Sequence, residues 1–199
     1  MISIAITGGI GSGKSYVSNL LEERGIPIYN ADNESKRLTV SDEEIRKGLV
    51  ALVGEQVYFD DGTLNKSLLA AYLFASSEHA TQVNAIIHPR VKADFRRWLE
   101  EHTDCEIVGL EAAILYESGF DDVVDAVVAV YAPESLRLER AMKRDGATEA
   151  QIRARMSAQM NEEEKRNKAD YVVLNDGSAC LQKQLDALIY QIKRGKLRE

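Results

Sequence analysis

The sequence holds only two cysteines, Cys105 and Cys180. Two thiols cannot build a disulfide framework, and neither stands at a metal-ligand spacing, so a disulfide-stapled scaffold and a cysteine metal site are both excluded. A reducing, cytoplasmic setting is the expectation. No uninterrupted apolar run approaches the length of a membrane span. No basic stretch leads into an apolar signal core, so neither export nor a membrane is expected. Positive charge is in deficit too: 25 Lys and Arg against 32 Asp and Glu give a formal net charge of -7. That argues against a general nucleic-acid binder, which needs a basic surface. A mononucleotide needs only a local positive cluster and stays allowed. Low-complexity tracts and repeats are also missing. What is left is a globular composition, 45% hydrophobic over 199 residues, enough for one α/β domain with a small insertion, as a monomer or small homo-oligomer.

The most informative stretch is Gly8-Gly9-Ile10-Gly11-Ser12-Gly13-Lys14-Ser15, which fits G-x-x-x-x-G-K-[ST] without substitution. Before it, Ile2 to Ile6 reads as a short buried strand; after it, Tyr16 to Arg24 reads as an amphipathic helix. A strand, a glycine-rich turn and a helix are what a phosphate-binding loop requires. Glycines let backbone N–H groups approach phosphate oxygens, and the helix adds unpaired amides and the positive end of its dipole. Lys14 then faces the β- and γ-phosphates, and the Ser15 hydroxyl holds Mg²⁺.

Strands and helices alternate beyond the loop. Strands are expected at 26–29, 106–110, 126–130 and 171–174. Helices are expected from Glu34 to about Val53 with a fresh start at Ser41-Asp42-Glu43-Glu44, at 66–74, 78–102, 134–144, 149–168 and 179–193. This pattern implies a parallel sheet with helices on both faces and ligands at the strands' carboxyl ends. The stretch from about 34 to 104 lacks a convincing strand and reads as a helical substrate-side region.

Three further sites can carry chemistry. Asp32 stands just past the second strand; it can take a proton from an attacking hydroxyl or merely cap a helix. Arg137, Arg140 and Arg144 recur at three- and four-residue intervals and share one helix side. With Lys143, Arg153 and Arg155 they form either a lid that closes over nucleotide or a solvated face. Asn167-Lys168-Ala169-Asp170 matches a guanine-reading N-K-x-D. It precedes a strand instead of following one, and no D-x-x-G accompanies it, so a GTP-dependent switch is not expected.

With these residues in place, the chain resembles the dephospho-coenzyme A kinase family over nearly its full length. The resemblance is carried by Ile6-Thr7-Gly8-Gly9 and the loop that follows, Ala31-Asp32 with Lys36, and Asn84-Ala85-Ile86-Ile87-His88-Pro89. It continues through Leu115-Tyr116-Glu117, then Arg140, Arg144-Asp145, Arg155 and Gln159, and ends on Ala169 to Val173 with Asn175 and Gly177. Asn30 and Ala113 depart from the family's usual Asp and Pro. The resemblance implies a three-layer α/β P-loop kinase fold with a core at about 1–33, 105–134 and 169–199, a helical substrate region at about 34–104 and a helical lid at about 135–168. It implies transfer of the ATP γ-phosphoryl group to the 3′-hydroxyl of dephospho-coenzyme A with Mg²⁺. Asp32 is the implied base, with Lys14, Arg140 and Arg144 stabilising charge. ATP falls to Gly9, Ile10, Gly11, Ser12, Gly13, Lys14, Ser15, Tyr16 and Asn175. The acceptor falls to Thr7, Asp32, Lys36, His88 and Glu117, and Mg²⁺ to Ser15, with Glu111 a weaker candidate for metal-bound water. Arg137 is not singled out. A nucleoside monophosphate kinase is the alternative.

Overall fold

Five short segments rich in β-branched residues form one parallel sheet in the computed structural model, which describes residues 1–195. The last four positions, 196–199, assigned above to the closing part of the core, lie outside the described residues. The strands are β1 (Ile2–Thr7), β2 (Ile28–Asn30), β3 (Ile107–Glu111), β4 (Ala126–Tyr131) and β5 (Tyr171–Leu174). Their order is β2-β3-β1-β4-β5, and every neighbouring pair is parallel. β1 therefore lies at the centre, with Ile2 opposite Ile107 of β3 and Ile4 opposite Ala126 of β4. β3 is buried along its whole length, which is why it reads as a continuous apolar run and not as an alternating one.

The helices are α1 (Lys14–Glu22), α2 (Ala31–Ser41), α3 (Glu43–Val53), α4 (Lys66–Ala75), α5 (Ser77–Glu100), α6 (Glu134–Asp145), α7 (Glu149–Ser157), α8 (Glu162–Lys168) and α9 (Leu181–Lys193). The contacts divide the chain into two compact units: Met1–Asn30 with the chain from Glu101 on, and Ala31–Glu100. The first unit holds the sheet. Ile4 and Ile6 of β1 pack with Val17, Leu20 and Leu21 of α1 and with Leu185, Leu188 and Ile192 of α9. Burying one such side chain contributes about 1.5–3 kcal/mol, so this layer anchors the strand that delivers the glycine loop.

The second unit is helical, and α5 is its spine, packed against α2, α3 and α4. The expected restart near residue 42 is explained by Asp42, whose carboxylate accepts the N–H groups of Glu44 and Ile45 at 3.0 Å. Such a cap contributes about 1 kcal/mol. Arg90 of α5 forks onto the same carboxylate, tying the start of α3 to the spine.

Two expectations are corrected. The single helix expected over 149–168 is two helices, because the Met160 N–H is held by the Glu117 carboxylate at 2.7 Å and Asn161 caps a new helix through the Glu163 N–H. The helix after β2 begins at Ala31, not at Glu34, so Asp32 lies inside its first turn and is not its N-cap.

Candidate active site

The glycine loop spans the end of β1 and the start of α1. Gly13 adopts φ 91°, and a Cβ there meets the Asn175 Nδ2 at 2.1 Å, so both the backbone and the neighbour require glycine. Asn175, just beyond β5, donates its amide to the Ser12 carbonyl at 2.8 Å and accepts Arg140 NH1 on its own carbonyl at 2.8 Å. Arg140 is thereby linked to the loop through one residue. Among the described residues no side chain caps α1, which leaves its first-turn amides to an external anion. The Thr7 and Ser12 hydroxyls are buried and have no hydrogen-bond partner within the described chain.

Glu111 ends β3, the neighbour of β1, and is only 4% exposed. It accepts the Ser15 hydroxyl at 2.6 Å and the Asn30 side-chain amide at 3.3 Å. A carboxylate holding that hydroxyl turns the serine's lone pairs outward, as coordination of a hard cation requires. Among the described residues no cluster of three or more His, Cys, Asp or Glu side chains could hold a metal by itself. The donor set fits Mg²⁺, which keeps several waters and takes phosphate oxygens as ligands.

The arginines do not behave as one stripe. Arg144 pairs with its neighbour Asp145 at 2.7 Å, and Arg155 of α7 holds the other oxygen at 2.6 Å. Hydrogen bonds from Arg144 and then Arg155 keep the Asp145 carboxyl far below the usual carboxylate range. Arg137, expected on the same open side, is instead buried: its Nε donates to the Ala132 carbonyl at 3.0 Å, and NH1 faces Glu162 at 3.7 Å. The Glu162 carboxylate accepts the Gly9 N–H at 2.8 and 3.1 Å, and Gln159 accepts the Ile10 N–H at 3.2 Å. Ile10 also packs on the small cluster of Leu138, Ala141 and Ile152 between α6 and α7. Sequence reasoning missed Glu162 altogether.

Glu117, assigned to the acceptor above, is engaged within the chain. It accepts the Met160 N–H and pairs with Lys165 at 3.1 Å. Lys165 is fully buried and also donates to the Ala113 carbonyl at 2.7 Å. Asp170 of the N-K-x-D match accepts the Val127 N–H at 2.8 Å and so joins β4 to the start of β5, a structural task. Tyr16 is exposed on α1.

In the second unit, Asp32 is half-buried and Lys36 lies exposed one turn further along α2. Asp32 follows Asn30 by two residues, and Asn30 is bonded to Glu111. His88 is half-buried within α5; burial, and next the charge of Lys92, hold its pKa below 6.5.

A glycine loop whose Ser15 is tied to a buried carboxylate on the adjacent strand is a nucleotide-binding arrangement, and comparison with known proteins says which kind. The profile of a family described as dephospho-CoA kinase matches residues 2–180. The chain belongs to the dephospho-CoA kinase family. A curated dephospho-CoA kinase from Bacteroides fragilis is 58% identical over 189 residues, covering 94% of this chain and 91% of that protein. One from Porphyromonas gingivalis is 42% identical, covering 97% and 95%. Among solved structures, a Thermus thermophilus protein superposes with a TM-score of 0.78 at 35% identity, covering 97% of each chain. A Campylobacter jejuni dephospho-CoA kinase, at 22% identity and TM-score 0.70 over 97% and 98% of the two chains, agrees in fold. The α/β parallel-sheet kinase architecture expected above is the one observed.

Proposed function

We propose that this dephospho-CoA kinase family member transfers the γ-phosphoryl group of ATP to the ribose 3′-hydroxyl of dephospho-CoA, giving CoA and ADP, in the cytoplasm. The observation that supports it best is the Ser15–Glu111–Asn30 arrangement at the mouth of the glycine loop, in a chain of this family.

The loop amides and the first turn of α1 bind the phosphate chain, with Lys14 adding a point charge that serves both ground and transition states. Ser15, held by Glu111, contributes a ligand to Mg²⁺, which when bound screens charge on the phosphates. Asp32 takes the 3′-hydroxyl proton as the ribose oxygen bonds to the γ-phosphorus. The bond from that phosphorus to the bridging oxygen breaks, and the electron pair leaves with ADP. Arg140, positioned by Asn175, sits against the nucleotide and stabilises spreading charge. Little covalent chemistry is asked of the protein, and positioning supplies most of the rate.

The direct test is a coupled assay of ADP release, with dephospho-CoA or nucleoside monophosphates as acceptor. ADP release that depends on dephospho-CoA, with CoA as product, supports the reading. Release that depends on a nucleoside monophosphate alone would replace it with a nucleotide kinase.

A further inference from the structure

The front half of the glycine loop is held by a device that neither the motif nor the proposed reaction accounts for. Glu162, at the start of α8, is 9% exposed, and both of its oxygens accept the Gly9 N–H. Arg137 of α6, 7% exposed, faces that carboxylate and is itself fixed by the Ala132 carbonyl. A buried carboxylate is tolerated only when paired and hydrogen-bonded, and this one has an arginine and a backbone amide.

The same contact explains the glycine. Gly9 is not one of the chain's positive-φ glycines, so left-handed strain does not demand glycine there. A Cβ at Gly9 would instead lie 2.2 Å from Glu162 Oε2 and 2.7 Å from Arg137 NH1. Gly9 is small because the carboxylate comes close.

We propose that Glu162, steadied by Arg137, is a positioning residue for the nucleotide loop: its carboxylate fixes the Gly9 peptide and thereby sets nucleotide affinity. This rests on the reading of the glycine loop as the ATP site. Loop amides bind phosphate well only when they are already aimed, because alignment on binding costs affinity. A carboxylate that fixes one end of the loop removes part of that cost. Glu162 touches the loop and not the reacting atoms, so its effect falls on binding more than on turnover.

The test measures ADP affinity by calorimetry and kcat and KM for ATP, in the parent, Glu162→Gln, Glu162→Ala, Gly9→Ala and the Gly9→Ala/Glu162→Ala pair, with Tm recorded for each. Glu162→Ala is expected to weaken ADP and raise KM for ATP about tenfold while kcat falls less than about threefold. Glu162→Gln keeps an acceptor for the Gly9 N–H and is expected to retain most of the affinity, even if Tm falls. Gly9→Ala should match Glu162→Ala in the parent and add less than about twofold to it in the pair, because the clashing carboxylate is gone and the NH1 end of Arg137, no longer drawn to it, can swing aside. Losses that multiply in the pair would overturn the proposal. So would a tighter grip on ADP in Glu162→Ala, which would make Glu162 a competitor for the loop. A lowered Tm with unchanged affinity would reduce the contact to packing. If the parent itself fails to bind ADP, the kinase reading falls and this proposal with it, an outcome distinct from the others.

Discussion

Two residues carry the proposed chemistry most directly, and they predict different kinetic signatures. If Asp32 takes the hydroxyl proton, Asp32→Asn lowers turnover by about 10²–10⁴-fold and leaves ATP affinity nearly unchanged. Turnover within about threefold of the parent would reduce Asp32 to a first-turn acid that favours the α2 dipole. Lys14 acts in both ground and transition states, so Lys14→Ala should weaken ATP and lower turnover together. Normal affinity and turnover in that variant would contradict the loop assignment. At this scale the sequence was legible wherever chemistry depends on adjacent residues: the loop from Gly8 to Ser15 is one continuous segment. Arg137 and Glu162 were not legible. Charged residues on charged helices ordinarily face water, and only a contact between Gly9 and Glu162, 153 positions apart in the chain, takes them inside.

At the scale of elements, the helices after β4 fall into a looser and a firmer part. α6 and α7 meet through Leu138, Ala141 and Ile152 and through an exposed pair, Arg153 with Glu134, of the kind that contributes little. α8 is fixed by Lys165 on Ala113, by Glu117 through Lys165, and by Glu162 on Gly9. If a lid closes on ATP and dephospho-CoA, amide exchange should slow across 149–157 and stay nearly constant across 162–168, where protection is already in place. Equal slowing in both helices would make all of 135–168 one lid. Arg140→Ala should lower turnover more than it weakens ATP binding, whereas Arg144→Ala, whose guanidinium already serves Asp145, should have the smaller effect. Reversed rankings in steady-state kinetics would return Arg144 to the centre of the site. The strands were readable because apolar β-branched runs are local. The break between α7 and α8 was not, because it depends on Glu117, which lies 43 positions before Met160 in the chain and draws off its N–H.

The whole molecule has a pH response written into His88. Burial lowers its folded pKa below the 6.5 of the free side chain, so the neutral form is favoured in the fold. Its contribution is complete above about pH 6.5 and declines as pH falls toward the depressed folded value, because the unfolded chain then binds the proton more readily. Tm should therefore drop between pH 7 and 5, and His88→Gln should make that drop smaller. An equal drop in both proteins would show that the imidazole takes no part. The strand order has a consequence for how the chain is made. β1 leaves the ribosome before its partners, which begin at Ile107 and Ala126, so it must wait while β2 and all of residues 31–100 are synthesised. Residues 31–100 emerge in that interval, and their helices find one another across short sequence distances. Contacts that are close in sequence form fastest, so during translation the helical unit should gain order before the sheet that flanks it in the chain. The apolar β1 stays exposed until β3 and β4 arrive, and this is the window in which the nascent chain is most open to aggregation and to chaperones.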